Sequence, residues 1–199
     1  MRWEYTVPKM ITCIVNPSRC GSTLLLHILD KYFRMSRTPN YSMEYEIIDE
    51  KVGAEVLKQK SGANFLFKYQ FLFTIQPLLG ADKYIVLDRK DKDAWIYSSF
   101  MSFMHHNPHG KLENKEYEFD EVVFNHHKDH MFRLLPIWEK EKSRLIDQGA
   151  VSLWYEDIKD KSAADILQMC GYPGAAPFDK DDLYFRGIKL EKVWSCKRE

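Results

Sequence analysis

Apolar residues gather in short runs along this chain, and longer stretches of mixed apolar and polar character separate the runs. Short runs bounded by polar or turn-forming residues predict strands over 10–15, 64–69, 83–87 and 150–154. The intervening stretches predict helices over 23–33, 44–60, 92–105, 119–148 and 163–170. Gly149 and Gly171 suit the ends of the last two, and Pro136 is expected to kink or divide the long one. Strands that alternate with helices predict an α/β domain whose central sheet is mostly parallel and flanked by helices. The length, 199 residues, suits one domain over 1–199 with a core of its own. Within it, 107–118 contains Pro108, Gly110 and many charges and reads as a surface loop, and 179–199 reads as a C-terminal tail.

The junction between the first strand and the first helix carries the strongest chemical signal. Asn16-Pro17-Ser18-Arg19-Cys20-Gly21-Ser22-Thr23 is a tight polar loop that runs straight into a helix start. Such a loop directs backbone N–H groups and hydroxyls at one spot, where the helix dipole also favours negative charge, so it reads as a phosphate cradle. A nucleotide-triphosphatase loop of the form G-x-x-x-x-G-K followed by Ser or Thr places a lysine just before the hydroxyl that holds magnesium. Ser22 stands in the lysine's place, Asn16 replaces the first glycine, and the nearby cation is Arg19, on the ascending side. The loop suits phosphate and suits metal-assisted phosphoryl transfer poorly. The plainer reading is a strand-to-helix turn with a Ser/Thr cap.

Ligands of parallel α/β sheets bind beyond the carboxyl ends of the strands, so further chemistry is expected at the other exits. The strand over 83–87 leads into Asp88-Arg89-Lys90-Asp91-Lys92-Asp93 and then a helix with Ser98 and Ser99. Arg89 or Lys90 together with Ser98 would hold a second phosphate. The last strand leads into Trp154-Tyr155-Glu156-Asp157-Ile158, whose two carboxylates are expected to form structural ion pairs that hold the loops.

Composition removes several classes of partner. Lys and Arg total 29 and Asp and Glu total 29, so a nucleic acid held mainly by counterion release is not expected. Four cysteines, Cys13, Cys20, Cys170 and Cys196, lack C-x-x-C spacing and read as reduced thiols of a cytoplasmic protein. The first residues form no apolar signal core, and no apolar run approaches the ~18–20 residues that span a bilayer, so no membrane anchor is expected. His126 and His130 stand four residues apart on a predicted helix, but His127, Lys128 and Asp129 fill the gap where a zinc hydrolase needs a glutamate, so packing is favoured over a metal site.

Together, the three exit segments are similar to those of the sulfotransferases that use 3′-phosphoadenosine 5′-phosphosulfate. Ser18-Arg19-Cys20-Gly21-Ser22-Thr23-Leu24-Leu25 resembles the family's 5′-phosphosulfate loop in its arginine-bearing bacterial form. The segment from Tyr84 through Asp88-Arg89-Lys90 to Ser98 resembles the 3′-phosphate element, and Val151 through Tyr155-Glu156-Asp157-Ile158 resembles a downstream hydrophobic-Tyr-Glu-Asp element. The resemblance implies a P-loop-like α/β fold and in-line transfer of a sulfuryl group, without a metal, to a hydroxyl or amine of a small-molecule or carbohydrate acceptor. Adenosine 3′,5′-bisphosphate would be the product. It implies Arg19 at the 5′-phosphate and leaving oxygen, with Ser18, Cys20, Gly21, Ser22 and Thr23 completing the cradle. Arg89 and Ser98 would take the 3′-phosphate. Counting from Arg89, the family's serine position is Tyr97, whereas counting from Lys90 it is Ser98, so either Arg89 or Lys90 makes the contact.

For the base, cytosolic animal members carry a histidine where this chain has Gln70. The stretch Pro39 to Tyr45 is similar to a Glu-Tyr pair of bacterial sugar-modifying members, which makes Glu44 the expected general base, with Glu46, His105 and His106 as rivals. Lys68, at a strand end where the family often has lysine, is expected to assist at the sulfuryl group. Arg186-Gly187, with Trp194 beyond, is similar to the terminal basic loop over the 3′-phosphate. Two other functions stay open: a P-loop kinase or nucleotide-binding protein, and a non-catalytic binding module of the same fold.

Overall fold

The computed structural model describes residues 9–47, 50–60, 62–71, 80–104, 119–172, 176–180, 183–185 and 188–189. The predicted loop over 107–118, most of the tail, His105, His106, Arg186 and Trp194 lie outside them, as do the side chains of Tyr45 and Glu46.

Five strands form one parallel sheet: β1 (Ile11–Asn16), β2 (Tyr41–Ile47), β3 (Asn64–Gln70), β4 (Lys83–Asp88) and β5 (Val151–Trp154). The order across the sheet is β2-β3-β1-β4-β5, so β1 is central. Every residue of β1 is buried, as the apolar run from Met10 to Val15 requires of a strand covered on both faces. From β1 the chain moves outward to β2, returns through β3, and only then crosses to β4 and β5. That reversal lies beside β1, so the exits of β1 and β4 face one crevice.

Strand alternation divides the core in two. Ile14, Leu66, Ile85 and Leu87 face α1 (Ser22–Met35) and a later short helix, with Leu25, Ile28 and Leu29 of α1 fully buried against them. Cys13, Val15, Phe65, Phe67, Tyr69 and Val86 face the other way, against Leu57 of α2 (Glu50–Gln59) and Trp138 and Leu145 of a long helix. Each such large side chain contributes about 1.5–3 kcal/mol by leaving water. Between β4 and β5 run α3 (Lys92–Met104) and that long helix, α4 (Glu121–Asp147). Pro136 does not divide α4, which is continuous through it. After β5 come α5 (Tyr155–Ile158), a single turn, and α6 (Ala163–Met169), which covers the α1 face. A two-residue antiparallel pair, β6 (Tyr184–Phe185) with β7 (Ile188–Lys189), follows. The described residues thus form a single α/β domain with helices on both faces of a parallel sheet.

One predicted element is wrong. Glu44 was expected near the start of a helix over 44–60, but 41–47 is strand β2 and the helix begins at Glu50. Apolar Tyr41, Met43, Tyr45 and Ile47 alternate with Ser42, Glu44 and Glu46, a two-residue period that outweighs the helix preference of glutamate once β3 offers an edge. Among the described residues no helix is long and apolar enough to cross a membrane. Cys13, Cys20 and Cys170 are buried free thiols.

Candidate functional site

The exit of β1 is a strained and electrostatically open turn. Ser18 and Arg19 adopt φ of 77° and 53°, and Gly21 adopts 82°. Left-handed backbone is free of penalty for Gly21, whereas Ser18 and Arg19 each bear a cost on the order of 1 kcal/mol. Gly21 occupies the N-cap of α1 without a side-chain cap, and the first turn of α1 contains no acid. The positive end of this helix is therefore left uncompensated by its own sequence. The indole Nε1 of Trp95, on α3, donates to the Ser18 carbonyl at 2.9 Å. The Cys20 thiol donates to the same carbonyl at 3.1 Å, and burial pushes it well above the ordinary thiol range, so it is a packing group and not a nucleophile. Ser22 is buried, while Thr23, like Ser18, Arg19 and Gly21, is partly accessible. Arg19 Nε donates to Ser98 Oγ, on α3, at 3.4 Å.

The exit of β4 is closed by its own charges. Asp88, 1 % exposed, accepts from Lys92 Nζ and Lys142 Nζ, each at 2.8 Å, and from the Arg89 N–H at 2.7 Å. Burial pushes its carboxyl up, but these donors outweigh burial and hold it below the usual carboxylate range. Lys142 also pairs with Glu139 at 2.9 Å and lies over the Trp154 ring, 4.4 Å from its centroid. Asp91 caps α3 by accepting from the Ala94 N–H at 2.8 Å. Glu156 accepts from the N–H groups of Lys90 and Asp91, at 2.9 and 3.2 Å, and Asp157 takes the Lys90 ammonium. The two acids after β5 are thus structural, as expected from the sequence.

Arg89 and Lys90 part company here. The Lys90 side chain is half exposed and held by Asp157. Arg89 lies over the Tyr155 ring, 4.9 Å from the centroid, and its Nε approaches Glu156 only to 3.8 Å, making no hydrogen bond. Its guanidinium is mostly sheltered yet incompletely used.

At the β3 exit Lys68 is almost fully buried, in register with Ile14 and on the face that α1 covers. Across from it on α1 is His27, whose imidazole is pushed below its ordinary range by burial, with the Lys68 charge adding to the effect against the pull of Asp30. Glu44 is exposed on the edge strand, in register with Phe67, and among the described residues no hydrogen bond or ion pair holds its carboxylate. The structure thus brings together Ser18, Arg19 and Ser98, sets Arg89 and Lys90 at the adjacent exit, buries Lys68, and leaves Glu44 on the outer strand.

Sequence reasoning named Asn16 and Asp88 within their segments but gave them no role of their own, and it missed Lys142 and His27. Lys142 stands 54 residues from Asp88, and nothing in its local pattern marks it. His27 offered a signal, a titratable residue between apolar Leu26 and Ile28, one turn after Thr23. Among the described residues no group of three His, Cys, Asp or Glu gathers as metal ligands. No protein-family model, curated protein or solved structure matches this chain.

Proposed function

We propose that the protein is a sulfotransferase that moves a sulfuryl group from 3′-phosphoadenosine 5′-phosphosulfate to a hydroxyl or amine of a small-molecule or carbohydrate acceptor in the cytoplasm. The observation that carries this reading is the contact of Arg19 with Ser98. It links the β1 loop to the segment after β4, two stretches with no sequence proximity that resemble the two phosphate-binding elements of one donor. The sheet order with β1 at the centre supports the P-loop-like form of the fold.

In this reading Arg19, the N–H groups at 20–23 and the hydroxyls of Ser18, Ser22 and Thr23 hold the 5′-phosphosulfate at the uncapped end of α1. Arg19 stabilises charge developing on the leaving oxygen, where a preorganised cation acts without reorganisation. Arg89 and not Lys90 takes the 3′-phosphate with Ser98, because Lys90 is committed to Asp157 while the Arg89 Nε has no hydrogen bond. Arg186 would close over the same phosphate. Lys68 supplies positive potential from beneath the transferred group. A metal-dependent kinase is disfavoured by Asp88, the carboxylate at the β4 exit, which is already neutralised by two ammonium groups. The exposure of Glu44 on the outer strand leaves its role as base dependent on the acceptor and favours the non-catalytic binding module.

Calorimetric titration tests the reading. Adenosine 3′,5′-bisphosphate should bind without magnesium and more tightly than ATP with magnesium. ATP binding with indifference to the bisphosphate would sink it. Transfer of label from the donor to a panel of sugars, phenols and amines then separates enzyme from binding module.

A further inference from the structure

Asn16, the last residue of β1, is fully buried, and neither Oδ1 nor Nδ2 of its carboxamide has a hydrogen-bond partner. A carboxamide stranded in this way destabilises the state in which it is seen. Alternation along β1 puts Asn16 on the face of Thr12 and Ile14, the α1 side, directly beneath the turn that leads into α1. That turn is itself in high-energy backbone at Ser18 and Arg19, and its Ser18 carbonyl is already taken by Trp95 and Cys20.

We infer that Asn16 is a positioning residue for the anion, a donor that engages the turn only when ligand is bound. A peptide group presents its C=O and N–H in opposite directions. The Gly21 carbonyl already accepts from the Leu25 N–H at 3.3 Å, so anchoring the carbonyl of Arg19 or Cys20 downward on Asn16 Nδ2 turns the paired N–H upward, toward a phosphate at the start of α1. The ligand supplies the free energy that the turn lacks alone. This rests on the donor reading above and adds a residue to it.

The test uses the full chain with Asn16→Leu, which keeps the shape, and Asn16→Ala, which avoids any clash. Thermal melting without ligand and titration with adenosine 3′,5′-bisphosphate are measured for each. The expected result has opposite signs: the ligand-free melting temperature holds or rises, while affinity falls roughly five- to tenfold, the scale of one neutral hydrogen bond. Unchanged affinity in both variants would overturn the inference and mark the amide as satisfied by an ordered water. A fall in affinity matched by a fall in melting temperature in both variants would overturn it too, as general damage. A wild-type chain that does not bind the bisphosphate removes the donor reading and this inference with it, whereas wild-type binding shared by both variants removes this inference alone.

Discussion

The exits of β1 and β4 lie side by side in the sheet, yet they handle polar groups in opposite ways. At β4 the acids and the helix start are met, with Arg89 Nε as the exception: Asp88 has three donors, Asp91 caps α3, and Glu156 accepts two backbone N–H groups. At β1 the helix has no side-chain cap, no acid in its first turn, two non-glycine residues in left-handed backbone and a buried amide without a partner. The contrast between a satisfied helix start and an open neighbour is what the proposed anion site at the start of α1 rests on. The closed exit is the rigid wall against which the open one works.

Removing Asp88 should break this comparison most severely. Asp88→Ala takes the buried carboxylate away from buried Lys142 and partly buried Lys92 and leaves each with Glu139 alone, and the expected loss is about 3–5 kcal/mol in urea unfolding. A loss under about 1 kcal/mol would show that the β4 exit is not held by its charges. Arg19→Ala should act in the opposite sense, costing about 1.5–3 kcal/mol of bisphosphate affinity in calorimetry while the urea midpoint barely moves. Arg89→Ala should match it, and Lys90→Ala should not. The difference between the exits can also be read by pH. The Asp88 carboxyl is depressed in the folded chain, so its stabilisation is complete above the unfolded value of 3.8 and is lost as pH falls through the lower folded value. The melting-temperature gap between wild type and Asp88→Asn should therefore be flat near neutrality and close only in strong acid. The smallest expected effect sharpens the contrast: Thr23→Asp adds an acid to the first turn of α1 and should stabilise the fold by about 0.3–1 kcal/mol while it weakens bisphosphate binding.

The sheet was largely legible in the sequence because its inner strands are continuous apolar runs, and β1, β3, β4 and β5 fall within a residue of the expected bounds. β2 was not, because as an outer strand it exposes Glu44, and the acids spaced over 44–50 in the sequence imitate the first turn of a helix. At the strand exits the local part was legible: a tight turn leading from β1 into α1, and the structural role of Glu156 and Asp157, follow from residue type and position. What depends on distant pairing was hidden. Lys142 becomes a partner of Asp88 only once α4 is laid across the sheet, and Asn16 becomes an orphan only once β1 is buried at the centre of the sheet. The proposed preference for Arg89 over Lys90, which counting residues left open, rests on Asp157, an acid 67 residues from Lys90.

The bond from the Trp95 indole to the Ser18 carbonyl makes the turn optically visible. Trp138 is enclosed on the opposite sheet face and supplies a constant background, and the contributions of Trp154 and the other tryptophans are separated by comparison with a chain that lacks the Trp95 indole. Indole fluorescence responds to the polarity and hydrogen bonding of its N–H, and any rotation of the Ser18 peptide would shift the Trp95 contribution. The protein thus contains its own reporter dye at the turn, and stopped-flow emission of the unlabelled chain, compared with Trp95→Phe, would time the turn's movement.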